Sequence, residues 1–288
     1  MFWYSNINVA KWLYEIKPTI NISADDEYAF RCSCDNGYLD VAKWLIEIKP
    51  TIDISANDDD AFRYSCENGH LDVAKWLYKI KPTIDISAEN EEVFRWSWQE
   101  GHHSIALKNE YAFRKCCRNG HLDIAKWLYE IKPTINISVD DEYAFSWSCR
   151  EGHLDVVKWL YEIKPTIDIS ADNEYAFKYS CENGHLDIAK WLYEIKPTID
   201  ISIDNEWAFR CSCEYGRLDV AKWLYEIKPT INISILDINS LTQIVIKWLV
   251  TLNNHGLTYK IIDGIYILYK QIKKENIVFT DKCCVENN

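Results

Sequence analysis

Residues 171–202 read ADNEYAFKYSCENGHLDIAKWLYEIKPTIDIS, and most of the chain is a copy of them. The preceding residues 139–170 read VDDEYAFSWSCREGHLDVVKWLYEIKPTIDIS. Aligned on Lys-Trp-Leu, the tryptophans fall at Trp12, Trp44, Trp76, Trp127, Trp159, Trp191 and Trp223, 32 residues apart except for one gap of 51. Self-similarity at such a period marks a solenoid, in which each copy is one supersecondary unit that buries its apolar face only against its neighbours. The predicted fold class is therefore all-α, a stack of helix-turn-helix repeats.

Inside a copy, Asp172 or Asn173 is placed to cap a helix, Glu174 lies in its first turn where the dipole favours an acid, and Gly184 ends it. This is helix A. In the copy at residues 24–55, Ala29, Phe30, Ser33 and Cys34 share an arc of about 140°, with Tyr28, Arg31, Cys32 and Asp35 on the other side. Helix A is thus expected to bury one face and leave the other free. Helix B follows the Gly-His or Gly-Tyr turn. Its apolar residues Leu39, Val41, Ala42, Trp44, Leu45, Ile46 and Ile48 cover about 220° of the wheel, so it needs neighbours on several sides. Pro50 and its counterparts stop helix B, and the Thr-Ile-Asp-Ile-Ser run after them alternates with period two. That run reads as a short extended finger leading to the next helix A.

Two helices and a finger in 32 residues resemble the ankyrin repeat. The family's Thr-Pro-Leu-His-x-Ala-Ala-x-x-Gly-His pattern is met by Tyr175-Ala176-Phe177-Lys178-Tyr179-Ser180-Cys181-Glu182-Asn183-Gly184-His185, and its Leu-x-x-Val-x-x-Leu-Leu helix by Leu186 to Tyr193. Thr-Pro-Leu-His itself is lost, Lys-Pro-Thr replaces the Gly-Ala-Asp turn, and the period is 32 instead of 33. The Tyr-Ala-Phe, Lys-Trp-Leu, Ile-Lys-Pro dialect resembles the expanded ankyrin families of large DNA viruses that infect amoebae. The resemblance implies a non-enzymatic interaction scaffold acting inside a host cell, in its cytoplasm.

The expected organisation is a half repeat at 1–23, an array at 24–234 with a truncated repeat at 88–106, a helical cap at 235–275 and a flexible tail at 276–288. Within the cap, Ile261, Ile262, Ile265, Leu268 and Ile272 suggest a helix from Thr258 to about Glu275. The truncated repeat lacks helix B and its finger, which predicts lost interface on both sides and a hinge near residues 102–109.

Composition narrows the function. The net charge is −12, which opposes nucleic acid and anionic membranes and suits a protein partner with a basic surface. No apolar run reaches the length of a membrane span, and the first residues lack the basic start of a secretory signal. The chain is expected to be intracellular and monomeric. Cys34, Cys66, Cys117, Cys149, Cys181 and Cys213 recur at one position of the repeat, the register of reduced thiols serving as small core residues. His70, His102, His121, His153 and His185 recur at the turn, too far apart for shared metal ligation and placed to bond nearby backbone. No phosphate loop, nucleophile elbow or metalloprotease helix is present, so neither a cofactor nor catalysis is expected.

What distinguishes one copy from another lies on the free face of helix A, in the pairs Tyr28/Cys32, Asp60/Tyr64, Glu92/Trp96, Tyr111/Lys115, Tyr143/Trp147, Tyr175/Tyr179 and Trp207/Cys211. Residues four apart are neighbours on a helix, so stacking lays out a ladder of aromatics bordered by acidic junctions such as Asp25-Asp26-Glu27 and Asp140-Asp141-Glu142. Tyr64, Trp96, Trp147 and Tyr179 are the expected anchors of a partner, with Tyr28, Tyr143, Tyr175 and Trp207 beside them. The competing reading has these rings packing on the next helix as half core. Two further readings are an adaptor that brings host proteins to an enzyme complex such as a ubiquitin ligase through residues 235–288, and a drifting duplicate with no dedicated partner.

Overall fold

The computed structural model describes residues 6–84, 110–237, 240–252, 257–262 and 265–270. The chain forms two compact units, divided between Ile167 and Asp168. The first holds α1 (Ile7–Ile16), α2 (Ala24–Asp35), α3 (Leu39–Ile48), α4 (Ala56–Glu67), α5 (Leu71–Ile80), α6 (Tyr111–Arg118), α7 (Leu122–Ile131), α8 (Val139–Glu151) and α9 (Leu154–Ile163). The second holds α10 (Ala171–Asn183), α11 (Leu186–Ile195), α12 (Ile203–Glu214), α13 (Leu218–Ile227), α14 (Gln243–Thr251), β1 (Leu257–Ile262) and β2 (Ile265–Lys270). This is the all-α, helix-turn-helix repeat solenoid that the 32-residue period predicts, followed by one hairpin.

The wheel positions of helix A fall where the periodicity puts them. Phe30 and Cys34 are fully buried with Ser33, and Tyr28 is 49% exposed. The buried serine hydroxyl is satisfied locally: Ser33 Oγ donates to the Ala29 carbonyl at 2.7 Å, and Ser148 Oγ reaches the Ala144 carbonyl at 2.6 Å. At the turn, Gly69 takes a positive φ of 84° while its N–H and that of His70 bond the Cys66 and Ser65 carbonyls, closing a Schellman cap. Successive repeats meet closely there: a Cβ on Gly120, itself at φ +81°, would lie 2.5 Å from Nδ1 of His153.

Repeats stack through aromatic wedges. Trp76, Trp127, Trp159 and Trp223 each sit against the helix A phenylalanine of the repeat before, and the last three also against its helix B tyrosine. Phe113 and Tyr129 lie 6.2 and 6.0 Å from Trp159, and Phe177 and Tyr193 lie 6.2 and 6.0 Å from Trp223. Trp248 of α14 meets Phe209 and Tyr225 in the same way, so α14 is a further helix B in geometry. Trp12 has no preceding repeat among the described residues and is 58% exposed.

The long gap between Trp76 and Trp127 does not break the stack. Phe62 and Tyr78 lie 6.2 and 5.9 Å from Trp127, the geometry of an ordinary neighbour pair. The Cys116 thiol donates to the Cys66 carbonyl at 3.2 Å, and the Asn119 amide to the Glu67 carbonyl at 2.8 Å. The expected loss of interface is therefore corrected. α6–α7 stacks directly on α4–α5, and the truncated repeat expected at 88–106 lies outside the described residues. Residues 102–109, where a hinge was expected, lie outside the described residues, as does the tail at 276–288.

Two local expectations are also revised. Asp172, Asn173 and Glu174 do not cap helix A but take positive φ angles of 48°, 60° and 59°, a left-handed turn repeated at residues 25–27, 57–59, 140–142 and 204–206. Asp and Asn tolerate this region better than other non-glycine residues, which accounts for the acidic and amide composition of the junction. The third residue of the turn goes inward. Glu142 and Glu174 are buried and accept hydrogen bonds from Ser138 and Ser170 at 2.5 and 2.7 Å. The lysine of Ile-Lys-Pro closes the same corner of its own repeat: Lys49, Lys81, Lys164 and Lys196 donate to Ser23, Ser55, Ser138 and Ser170, while Lys132 reaches Glu110 at 3.3 Å.

The expected helix from Thr258 to about Glu275 is instead the antiparallel β1–β2 hairpin, with Ile262 opposite Ile265 and Leu257 opposite Lys270. Ile261, Ile265, Leu268 and Ile272 fit a helical period, but Leu-Thr-Tyr-Lys-Ile-Ile and Ile-Tyr-Ile-Leu-Tyr-Lys are rich in β-branched and aromatic residues on either side of Asp263-Gly264. That dipeptide between two such runs is the stronger signal, because both turn positions need φ above zero. The pairing register leaves a two-residue connection, as that turn requires.

Candidate functional site

In the first unit the helix A face carries Tyr28 on α2, Tyr64 on α4, Tyr111 and Lys115 on α6, and Tyr143 and Trp147 on α8. In the second it carries Tyr175 and Tyr179 on α10 and Trp207 on α12. Trp96 lies outside the described residues. Of these, Tyr28 is exposed, Tyr111 is buried at 7%, and Tyr64, Tyr143, Trp147, Tyr175, Tyr179 and Trp207 are half-buried. Tyr143, Trp147, Tyr175, Tyr179 and Trp207 therefore do both things the sequence left open: they pack on neighbouring rings and stay half-exposed, whereas Tyr111 is core.

Pairs four residues apart meet as the helical spacing predicts. Tyr143 stacks on Trp147 with centroids 5.3 Å apart and planes 27° apart, and Tyr175 lies 4.2 Å from Tyr179. Between repeats, Tyr179 lies 6.4 Å from Trp207, whose Nε1–H donates to Glu182 at 3.3 Å.

Cations interleave with the rings, a feature the charge total hides. Arg63 lies 5.4 Å from the Tyr111 ring, Arg114 4.8 Å from Tyr143, Arg118 and Arg150 4.1 and 4.4 Å from Trp147, and Arg210 5.6 Å from Trp207. Each such contact contributes about 0.5–1 kcal/mol at an exposed site and more when desolvated. Burial, and after it the Glu67 carboxylate 3.0 Å from its oxygen, push the Tyr111 hydroxyl well above the usual phenol range. The signal that sequence reading missed was the cation preceding the second member of five described ladder pairs, Arg31, Arg63, Arg114, Lys178 and Arg210, where the Tyr143/Trp147 pair has Ser146.

The acidic junctions are only partly free to meet a partner. Asp60 is held by Arg31 at 2.9 Å and by Arg63, Asp140 pairs with Arg114, and Asp204 pairs with Lys178 at 2.6 Å, whose hydrogen bond holds its carboxyl below the usual range. Arg31–Asp60, Arg114–Asp140 and Lys178–Asp204 each tie one repeat to the next. Asp25, Asp26, Asp58, Asp141 and Asp172 stay exposed.

The repeated cysteines and histidines sit as structural residues. All nine described thiols are free, and Cys34, Cys66, Cys117, Cys149, Cys181 and Cys213 are fully buried. Burial pushes Cys117 and Cys181 far above the ordinary thiol range and Cys211 up to about 12, so none of these three is poised as a nucleophile. His121 bonds the backbone of Glu67 in the neighbouring repeat, and its pKa is lowered chiefly by burial. Among the described residues no group of three His, Cys, Asp or Glu converges as a metal site, and no helix is long and apolar enough to cross a membrane.

Comparison with known families agrees with this architecture. A family model of ankyrin repeats in three copies matches residues 2–90, and one of ankyrin repeats in many copies matches residues 142–192. These two stretches are ankyrin repeats, and the described helices outside them repeat the same helix-turn-helix unit. No curated protein matches its sequence. Ankyrin repeats generally mediate protein–protein interaction and are typically modules without catalysis.

Proposed function

We propose that this chain is a non-enzymatic scaffold that binds a protein partner across the helix A face and fingers. The observation that carries the reading is the aromatic ladder: Tyr143, Trp147, Tyr175, Tyr179 and Trp207 are held by ring stacking and neighbouring cations and remain half-buried. Rigid Tyr and Trp side chains lose little entropy on binding, which is why they concentrate interface energy. The anchors are Tyr64, Trp96, Trp147 and Tyr179, with Tyr28, Tyr143, Tyr175 and Trp207 around them. The exposed Asp25, Asp26, Asp58, Asp141 and Asp172 favour a partner that is basic where it meets the junctions. The repeat dialect's likeness to viral ankyrin families supports action in a host cytoplasm, by a monomer. The adaptor reading draws on the β1–β2 hairpin, a described element foreign to the repeat and so available as a second module.

The test is affinity capture from host-cell lysate with the intact chain and with Tyr64, Trp96, Trp147 and Tyr179 all changed to Ala, folding verified by circular dichroism. A protein retained by the first and lost from the second is the expected result. Capture of the same protein by both variants would move the site elsewhere, and capture by neither would favour a duplicate without a partner.

A further inference from the structure

Three helix A turns of the first unit carry the same dipeptide, Asn36-Gly37, Asn68-Gly69 and Asn119-Gly120. Their backbones are alike. Asn36, Asn68 and Asn119 take φ of −101°, −96° and −91° with ψ of 7°, 6° and 2°. Each following glycine N–H donates to the carbonyl of the core cysteine three residues back, at 3.2, 3.3 and 3.2 Å. Each glycine also lies against the histidine ring of the next repeat, His70, His121 or His153. What differs is the partner of the asparagine amide. Asn68 Nδ2 reaches into the repeat before it, donating to the Asp35 carbonyl at 3.1 Å and the Asp35 carboxylate at 2.7 Å. Asn119 Nδ2 likewise reaches the Glu67 carbonyl at 2.8 Å. Asn36 Nδ2 bonds within the helix that it ends, to the Cys32 carbonyl at 2.9 Å and to Asp35 at 3.3 Å. All three asparagines are exposed.

An asparagine followed by glycine loses its amide without an enzyme. The glycine nitrogen attacks Cγ of the asparagine, its proton passes to hydroxide, and the Cγ–Nδ2 bond breaks to release ammonia. Water then opens the five-membered imide at either carbonyl, leaving aspartate or isoaspartate. Nothing is oxidised or reduced, and water is the only reactant consumed. Glycine favours the attack because no Cβ crowds its nitrogen. In the folded turn that nitrogen is engaged with the cysteine carbonyl, so the reaction runs through local opening of the cap, whose free energy varies from place to place in a structure. Opening at Asn36 breaks bonds within one helix end. Opening at Asn68 or Asn119 also breaks a bond to the neighbouring repeat.

We propose that Asn36 is a site of spontaneous deamidation, converted ahead of Asn68 and Asn119, which their bonds to the preceding repeat protect. The product adds a negative charge at the exposed C-terminal end of α2 and, as isoaspartate, one more backbone carbon inside the cap. Because the Asn36 amide makes no bond to another repeat, the change there leaves the stack joined. At Asn68 it would set a second carboxylate against Asp35. The inference is independent of the scaffold reading.

The experiment incubates the full chain at mildly alkaline pH, digests it briefly with trypsin, and follows by mass spectrometry the amide-to-acid mass gain of peptides 32–43, 64–75 and 119–126, each of which holds one of the three pairs. A parallel incubation in urea gives the rate of each site in the unfolded chain. Dividing the native rate by this value removes the effect of the flanking residues. The expected result is a relative rate at Asn36 about fivefold or more above those at Asn68 and Asn119, the factor that one net hydrogen bond to a neighbouring repeat supplies. Equal relative rates at the three sites, a faster rate at Asn68 or Asn119, or no native conversion of Asn36 where the urea-unfolded chain converts overturns the proposal. The charge change alone is read with N36D and N68D. N36D is expected to unfold at the parent's denaturant midpoint and N68D at a lower one, and a midpoint for N68D at or above that of N36D contradicts the protection.

Discussion

Phe113→Ala is expected to cost about 3–5 kcal/mol of unfolding free energy, read by guanidinium denaturation of the full chain. Phe113 has no exposed surface and lies 6.2 Å from Trp159, so its removal leaves a cavity both in its own repeat and under the next wedge. Trp147→Ala provides the contrast. It removes a half-buried ring that stacks on Tyr143 and carries two guanidinium groups, contacts worth about 1–2 kcal/mol together. Its larger effect is expected on partner binding, about 2 kcal/mol or more if it is an anchor. If Trp147→Ala destabilised the fold as much as Phe113→Ala, the ring would be core and the ladder would be packing.

The second large effect concerns the stack across the insertion. Trp127→Ala and Trp159→Ala are each expected to cost about 3 kcal/mol, and to agree within about 1 kcal/mol. Trp159 wedges between repeats that are contiguous in sequence, whereas Trp127 wedges against Phe62 and Tyr78 across residues 85–109. In a solenoid, stability is a sum of repeat and neighbour-interface contributions, so equal interfaces give equal losses. A much smaller loss at Trp127 would mean that the two sides of the insertion are poorly joined.

The repeat period, the buried arc of helix A and the positions of the turns were legible because they depend on periodicity and on glycine chemistry. Phe30, Ser33 and Cys34 are buried where 3.6-residue spacing puts them. The role of the junction was not legible. Acids before a helix suggest caps, and nothing in one copy reveals that Glu142 turns inward to Ser138 while Lys164 reaches the same serine. That corner is built from residues 26 apart, beyond the reach of local pattern. The insertion misled for a related reason. Residues 88–106 contain a good helix A pattern, and expecting lost interface around them assumed that sequence neighbours must stack. The hairpin was misread by giving a helical period more weight than the Asp263-Gly264 turn. At the candidate site the aromatic pairs were evident from spacing four, while the arginines that support them were hidden by the acidic total.

The most direct test of the account removes residues 88–106, joining Ser87 to Leu107 so that Leu107 takes the place Ala56 and Val139 hold after Ser55 and Ser138. If α6–α7 already stacks on α4–α5, the shortened chain unfolds at the same denaturant midpoint or slightly above it, since a shorter connection costs less closure entropy by up to about 1 kcal/mol. A lower midpoint, or a transition that splits in two, would show that those residues hold the array together and would contradict the continuous stack on which the helix A face depends.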